Sequence, residues 1–422
     1  PKGYGSKIIE LSSPDTMEVF LDIKEIFDNR TWGRLYKVHQ KDDMIIVTFE
    51  KVTDSREDTE HGKHEYKIYV AIKAYNPKIE LKQEWQTRYY DFDHRRGSTP
   101  FDRYVFKLMD VKTDRIVMSF GDHLNKTIKE CRYLFRRYKK ICCKEYKGIE
   151  KTLPKETLFN KEVDTAYKMA SYQLDNMIKE RRFTSRKYKG FIAGLPWFFQ
   201  VWSRDECIAS KALIHQGRYK EAKEILFKYL HLITAEGRIP NRFFPKSSLS
   251  SADAVGILFL RIGELIEELN SKKKLRRYIR KKEMKDLADT LHHVIFLLRK
   301  YFVQGNLMHN NSLETWMDTE SGGDDRSGFR IEIQALLCNM YKLMHDLTDE
   351  RKHLDYEIEL KKEMRRKFLK YGLLADGLSD FTIRPNIFLA AYYFYDLLQK
   401  DEWKICFKTA LPKLWLDWGG LS

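Results

Sequence analysis

Between residues 66 and 75 the chain alternates. Tyr66, Ile68, Val70, Ile72 and Ala74 interleave with Lys67, Tyr69, Ala71, Lys73 and Tyr75, a period of two that puts one set on each face of a sheet. Residues 44–49, 103–109 and 116–120 are further short β-rich runs, separated by polar breaks at 53–63 and 94–100. Residues 1–125 therefore predict a β-sandwich-like domain.

The period then changes. Leu134, Tyr138 and Ile141 recur at helical spacing inside a strongly cationic stretch and predict a basic helical linker over 126–160. From about residue 162, Ala166, Met169, Ala170, Leu174 and Met177 mark one face of a helix. Further helices are predicted near 206–216, 219–235, 253–269, 277–303, 330–346, 350–371, 385–399 and 402–413, nine in all with no strand among them. Gly217 and Gly237 follow two of these, where glycine tolerates a left-handed C-terminal residue, and Pro385 suits a first helical turn. The fold class is α+β and multidomain, with 161–422 helical throughout.

Composition leaves this picture intact. Of 422 residues, 43% are hydrophobic and 33% charged, which excludes collagen-like, low-complexity and wholly disordered chains. The longest uncharged run, 190–203, has 14 residues, short of the roughly 18 a membrane span needs. No basic-then-apolar leader opens the sequence, and the six cysteines form no CxxC or CxxH spacing. A cytoplasmic protein without zinc or organic cofactor is expected. The net charge of +16 has local sources in 126–147 and 272–282. With Tyr133, Tyr138 and Tyr278 interleaved, these could contact a nucleic acid, but the helical spacing around Leu134 makes the cations a solvated face.

The segments joining the helices carry the chemistry. In order they read GLPWFFQVWSRDE (194–206), GRIPNRF (237–243), SSADA (250–254), ETWMDTE (314–320), GFRIEIQAL (328–336) and DFTIRPN (380–386). Aromatic planes, arginines and carboxylates suit a sugar, whose C–H faces stack on rings and whose hydroxyls accept and donate charged hydrogen bonds. These six segments, in this order, resemble the glucosidase domain of glycogen-debranching enzymes, the amylo-α-1,6-glucosidases, over about residues 190–390. The resemblance implies an (α/α)6 toroid related to glucoamylases. It also implies inverting hydrolysis of α-1,6-glucosidic branch points in glycogen-like glucans.

By the same resemblance Asp318, in TWMD, is the general acid, a role that partial burial beside Trp316 and Met317 would serve by raising its pKa. Arg204 and Asp205 match the pair that grips the terminal glucose; Asp205 would alternatively cap a helix beginning at Glu206, worth about 1 kcal/mol. This sequence has Ser203 and Glu206 where the family has Gly and Thr. Asp253 matches a substrate-binding position or caps its helix. Glu332 falls on the inward face with Leu336 and Asn339 and reads as a partner to a catalytic loop. Trp197, Trp202 and Trp316 are candidate sugar platforms or ordinary core, and Arg384 and Asn386 match the RPN segment, with Ile387 in place of the family's Gln.

An inverting glycosidase also needs a second carboxylate, about 6.5–9.5 Å from the acid, which the resemblance places beyond the RPN segment. Nine helices against the twelve of a toroid imply an incomplete toroid and a second polypeptide, of a split or cleaved enzyme, that completes it and supplies the base. Failing a partner, the base would be sought among Glu332, Asp376 and Asp380. The other functions that fit are a glucoamylase-like exo-α-1,4-glucosidase and a non-catalytic glucan-binding subunit.

Overall fold

The computed structural model describes residues 5–24, 32–52, 65–95, 97, 101–151, 160–183, 186–194, 198, 200–244, 250–319 and 324–421. It divides into two units, 1–176 and 177–422.

The first unit is built on one antiparallel sheet of β1 (Ser6–Leu21), β2 (Arg34–Lys41), β3 (Met44–Lys51), β4 (Tyr66–Ala74), β5 (Lys78–Tyr89) and β6 (Asp102–Gly121). Its order is β1-β6-β4-β3-β2, and β5 follows β4 along the same edge of β6. The expected runs 103–109 and 116–120 are thus one strand. The polar residues between them do not break it, because Thr113 is buried and donates its hydroxyl to the Tyr75 carbonyl at 2.6 Å, where β4 gives way to β5. The sheet folds over on itself. Tyr36 of β2 stacks on Phe106 of β6 at 4.5 Å and meets Trp85 of β5 edge-on at 5.5 Å, although two strands lie between β2 and β6 in the sheet order. Val47, Val70, Ile72, Leu108 and Val111 fill the enclosed face.

The stretch expected as a basic helical linker forms the helix α2 (Leu124–Lys151), after a short α1 (Asp91–Arg95). It packs its Cys131 and Leu134 on Met44, Ala71 and Val117 at the other face of the sheet. Apolar residues at helical spacing inside a basic run are enough to dock a helix, because lysine and arginine keep their heads in water. α3 (Lys161–Met177) closes this unit.

The second unit is mainly helical, but it opens with a hairpin of β7 (Ile178–Phe183) and β8 (Arg186–Phe191) and holds several two-residue ladders. The expectation of no strands was therefore wrong. The helices are α4 (Ser203–His215), α5 (Tyr219–Phe227), α6 (Ala252–Ser271), the one-turn α7 (Leu275–Tyr278), α8 (Lys281–Tyr301), α9 (Ile331–Thr348), α10 (Arg351–Phe368), α11 (Asn386–Tyr393) and α12 (Lys400–Leu414). Two predicted helices are shorter than expected: α5 passes into a 3-10 turn at Lys228–His231, and α11 ends before another at Tyr395–Leu397.

Alternate helices form an inner row. α4 packs on α6, α6 on α9 and α9 on α11, while α5, α8, α10 and α12 lie against them. Composition explains the division. α6 is apolar almost all round and buries residues on every face, whereas α10 buries only a stripe from His353 to Phe368. Because each inner helix is followed by an outer return, the inner row runs parallel and its N-termini share one end. Among the described residues no helix is long and apolar enough to cross a membrane.

α6 and α9 approach closely at Gly256, where an added Cβ would lie 2.6 Å from Leu336 Cβ. Gly256→Ala should therefore destabilise the helical unit by about 1–3 kcal/mol through overpacking, despite alanine's better helix propensity. A drop in that unit's thermal midpoint checks this; an unchanged or raised midpoint would contradict it.

Candidate active site

The N-termini of the inner row carry the side chains singled out in the sequence. α4 opens with Ser203, Arg204 and Asp205, α6 with Ala252 and Asp253, α9 with Ile331 and Glu332, and α11 with Asn386. Ser203 fixes the start of α4, donating its hydroxyl to the Pro240 carbonyl at 2.7 Å and its N–H to the Asn241 carbonyl at 3.0 Å. The serine that replaces the family's glycine thus ties the RD segment to the GRIPN loop.

Arg204 is buried, and its guanidinium joins three segments. Nε donates to Asp253 Oδ2 at 2.7 Å, Nη1 to Asp318 Oδ2 at 3.2 Å, and Nη2 to the Thr315 carbonyl at 2.8 Å. Asp253 is itself 1% exposed, and its other oxygen accepts from Ser251 Oγ at 2.5 Å. Both of its oxygens are engaged, so it holds Arg204 in place. Asp318, at the end of the loop, is half-buried and keeps Oδ1 clear of that contact. Its closest charged partner is Arg204, with Trp316 exposed and Met317 half-buried beside it in the loop.

A second cluster stands next to the first. Asp376 is 1% exposed; its Oδ2 accepts from Arg326, from Arg330 Nη1 at 3.3 Å and from Arg384 Nη1 at 2.8 Å, and its Oδ1 from Asn386 Nδ2 at 2.6 Å. Arg330 and Arg384 also share Asp380, at 2.9 and 2.6 Å, and Asp324, each at 3.0 Å. Arg326, buried and at φ 56°, holds Glu332 Oε1 at 2.6 Å. A non-glycine residue at positive φ persists only where its surroundings over-determine it, and here two buried carboxyls do so. Trp316 bridges the clusters, since its Nε1 donates to Asn386 Oδ1 at 2.7 Å.

Among the sequence candidates, Arg204, Asp253 and Asp318 share one constellation, and Trp316, Glu332, Arg384 and Asn386 share the other. Asp205 does not cap a helix at Glu206, because α4 already begins at Ser203 and no side chain caps it. It sits half-buried in the first turn. Glu206 is fully buried under β8, accepting from Phe191 N at 2.8 Å and Tyr229 Oη at 2.5 Å, and is a core residue. Trp202 is half-buried beneath the Arg242 guanidinium at 5.4 Å, with its Nε1 buried and without a hydrogen-bond partner among the described residues. Trp197 lies outside the described residues. Arg326, Arg330 and Asp324 were missed. Their signal was a run of opposite charges, DDRSGFRIE, immediately before a helix.

Burial shapes the electrostatics. It pushes the Glu332 carboxyl up to about 7, against the pull of Arg326 and with a further push from Asp376; its Oε2 is buried and lacks a hydrogen bond among the described residues. Burial also raises Asp205, with Arg204 pulling it back and Asp253 and Asp318 adding to the rise. Asp380 goes the other way: burial opposes its charge, but hydrogen bonds from Thr382 and Arg384 hold it well below the usual carboxylate range.

Glu332 gives the helical unit a pH dependence of definite sign. Its folded pKa exceeds its unfolded value, so its contribution is complete below about 4.5 and is lost as pH rises through about 7. Glu332→Gln, which cannot ionise, should reduce the stability lost between pH 5 and pH 8 by roughly 1–3 kcal/mol. Denaturant midpoints at the two pH values test this; an equal loss in both proteins would overturn it.

Comparison with known proteins agrees with the geometry. No curated protein matches the chain. Among solved structures, a rhamnosidase from Klebsiella oxytoca with rhamnose bound aligns at a TM-score of 0.50 and 8% identity, covering 97% of this chain and 79% of that one. A bacterial glucoamylase complexed with acarbose aligns at 0.37 and 11% identity over 86% of this chain. This chain spans 61% of that glucoamylase's length. The family model described as amylo-alpha-1,6-glucosidase matches residues 168–419, more than half of the chain and all of the segments that build the site. The chain belongs to the amylo-alpha-1,6-glucosidase family.

Proposed function

We propose that this protein hydrolyses α-1,6-glucosidic branch points of glycogen-like glucans with inversion, using Asp318 as the general acid. One observation carries the reading: Asp318 projects half-exposed from a loop locked at Thr315 and Trp316, beside the Arg204 guanidinium, with Asp205 and Asp253 also near. A general acid must stand where the glycosidic oxygen can reach it, and the half-exposed Asp318 side chain on its fixed loop offers such a position. Asp205, half-buried and raised mainly by its burial, is the candidate for gripping a glucose hydroxyl. Of the carboxylates the sequence offered for activating water, Asp376 and Asp380 are committed to arginines, so neither takes that role in this reading.

Asp318→Asn should cut turnover of branched oligosaccharides by about 10²–10⁴-fold, while glucosyl fluoride, whose leaving group needs no proton, loses much less. Proton NMR of the wild-type reaction should show β-glucose released first. Equal losses on both substrates would remove Asp318 from the acid's role, and α-glucose as first product would exclude inversion.

Asp205→Ala should weaken binding of glucose-like inhibitors by about ten- to a hundred-fold, the worth of one charged hydrogen bond. Calorimetric titration reads the affinity, and a retained thermal midpoint shows that the fold survives. Unchanged affinity in a folded variant would leave Asp205 without a binding role.

A further inference from the structure

Away from the inner-row N-termini, the outer helices α8 and α10 both pack on α9. A cavity of about 440 Å³ opens between them. One wall is a single face of α8, with His292, Phe296, Arg299 and Lys300 at helical spacing; the other is the first turn of α10, with Lys352, His353 and Tyr356. This is a concentration of positive charge that the glucosidase site does not use.

The arrangement holds these groups in place and satisfies them only in part. Arg299 lies over the Tyr356 ring at 3.8 Å and donates one N–H to Tyr341 Oη at 3.1 Å. Lys352 Nζ is 3.3 Å from His292 Nε2 and 2.7 Å from Glu350 Oε2, and His353 Nε2 is 3.4 Å from that same oxygen. His353 is 1% exposed and lines the cavity; among the described residues Nε2 has only the long contact to Glu350, without hydrogen-bond geometry, and Nδ1 has no hydrogen-bond partner. Buried polar atoms in folded proteins are nearly always paired, so this imidazole points to a ligand with acceptor oxygens. The cations call for an anion, and Phe296, 58% exposed at the rim, offers a ring face to an attached apolar group.

We propose that this cavity binds a small phosphate monoester, with its phosphate among Arg299, Lys300, Lys352, His292 and His353 and its ring against Phe296. A neutral glucan would leave the cations unmatched. A phosphate supplies acceptors for both ammonium groups and for His353, and Arg299 is preorganised by its stacking on Tyr356.

Calorimetric titration of the intact chain with inorganic phosphate, glucose 6-phosphate and adenosine 5′-monophosphate tests the proposal. At least one ester should bind saturably, with one equivalent, and more tightly than inorganic phosphate; comparing the two esters tells whether a sugar or a base meets Phe296. In the double variant Lys300→Glu/Lys352→Glu, both positions being exposed, that affinity should fall by about ten- to a hundred-fold with the thermal midpoint kept. Phe296→Ser should bring the ester down to the level of inorganic phosphate. Absence of saturable binding at millimolar concentration, an unchanged affinity in the double variant, or equal binding of phosphate and both esters would overturn it.

Discussion

The helical unit is organised around a buried guanidinium. Removing an arginine from water costs several kcal/mol, and only partners already in place at that depth offset it. Arg204 finds Asp253 on the next inner helix and Asp318 and the Thr315 carbonyl in the loop beyond. The partners come from two stretches of chain remote from α4. The charge is therefore satisfied only when α4, α6 and the 314–319 loop have all docked, which makes the site's geometry a condition of the fold.

The same logic recurs at Asp376, where the roles of the charges are reversed. One buried carboxylate gathers Arg326, Arg330, Arg384 and Asn386, joining the segment before α9 to the segment before α11. Because Asn386 also receives Trp316, the 314–319 loop is held from both sides, by Arg204 at Thr315 and by Asn386 at Trp316. Asp318 follows directly. The half-buried Asp318 side chain thus stands on a backbone held from both sides, the condition the proposed acid role would need for placement within a fraction of an ångström.

How much of this was legible in the sequence depends on the range of the interaction. Period-two and period-3.6 patterns are local, so β4, α2 and the long helices were readable from residues such as Val70, Ile72 and Leu134. The β7–β8 hairpin was not. Its residues, IKERRF and RKYKGF, carry cations at half of their positions and offer no apolar alternation. The expectation of separate runs at 103–109 and 116–120 failed for a related reason: Thr113 looks like a polar loop residue until its long-range bond to Tyr75 is known. The site residues were legible through their ordered resemblance to a family, which named Arg204 and Asp318 but said nothing of how they are held. The pairings of Arg204 with Asp253, 49 residues away, and of Arg326 with Asp376, 50 residues away, have no signature along the chain, since only the folded row of helices brings them together.

Charge counting across the two clusters adds one more constraint. Around Asp376, three guanidiniums face four carboxyls, those of Asp324, Glu332, Asp376 and Asp380. Around Arg204, one guanidinium faces Asp205, Asp253 and Asp318. Carboxyls are thus in excess in both. An excess acid in a buried setting is most cheaply carried with its proton on, and in the second cluster the proton settles on Glu332, the carboxyl raised to about 7 by its depth. The first cluster has the larger excess. Three arginines sequester the second cluster's carboxyls, whereas one arginine cannot do so for three aspartates. The second cluster, rich in arginines, holds through Asn386 and Trp316 the loop that presents Asp318 beside the first, which is the arrangement the proposed acid role would use.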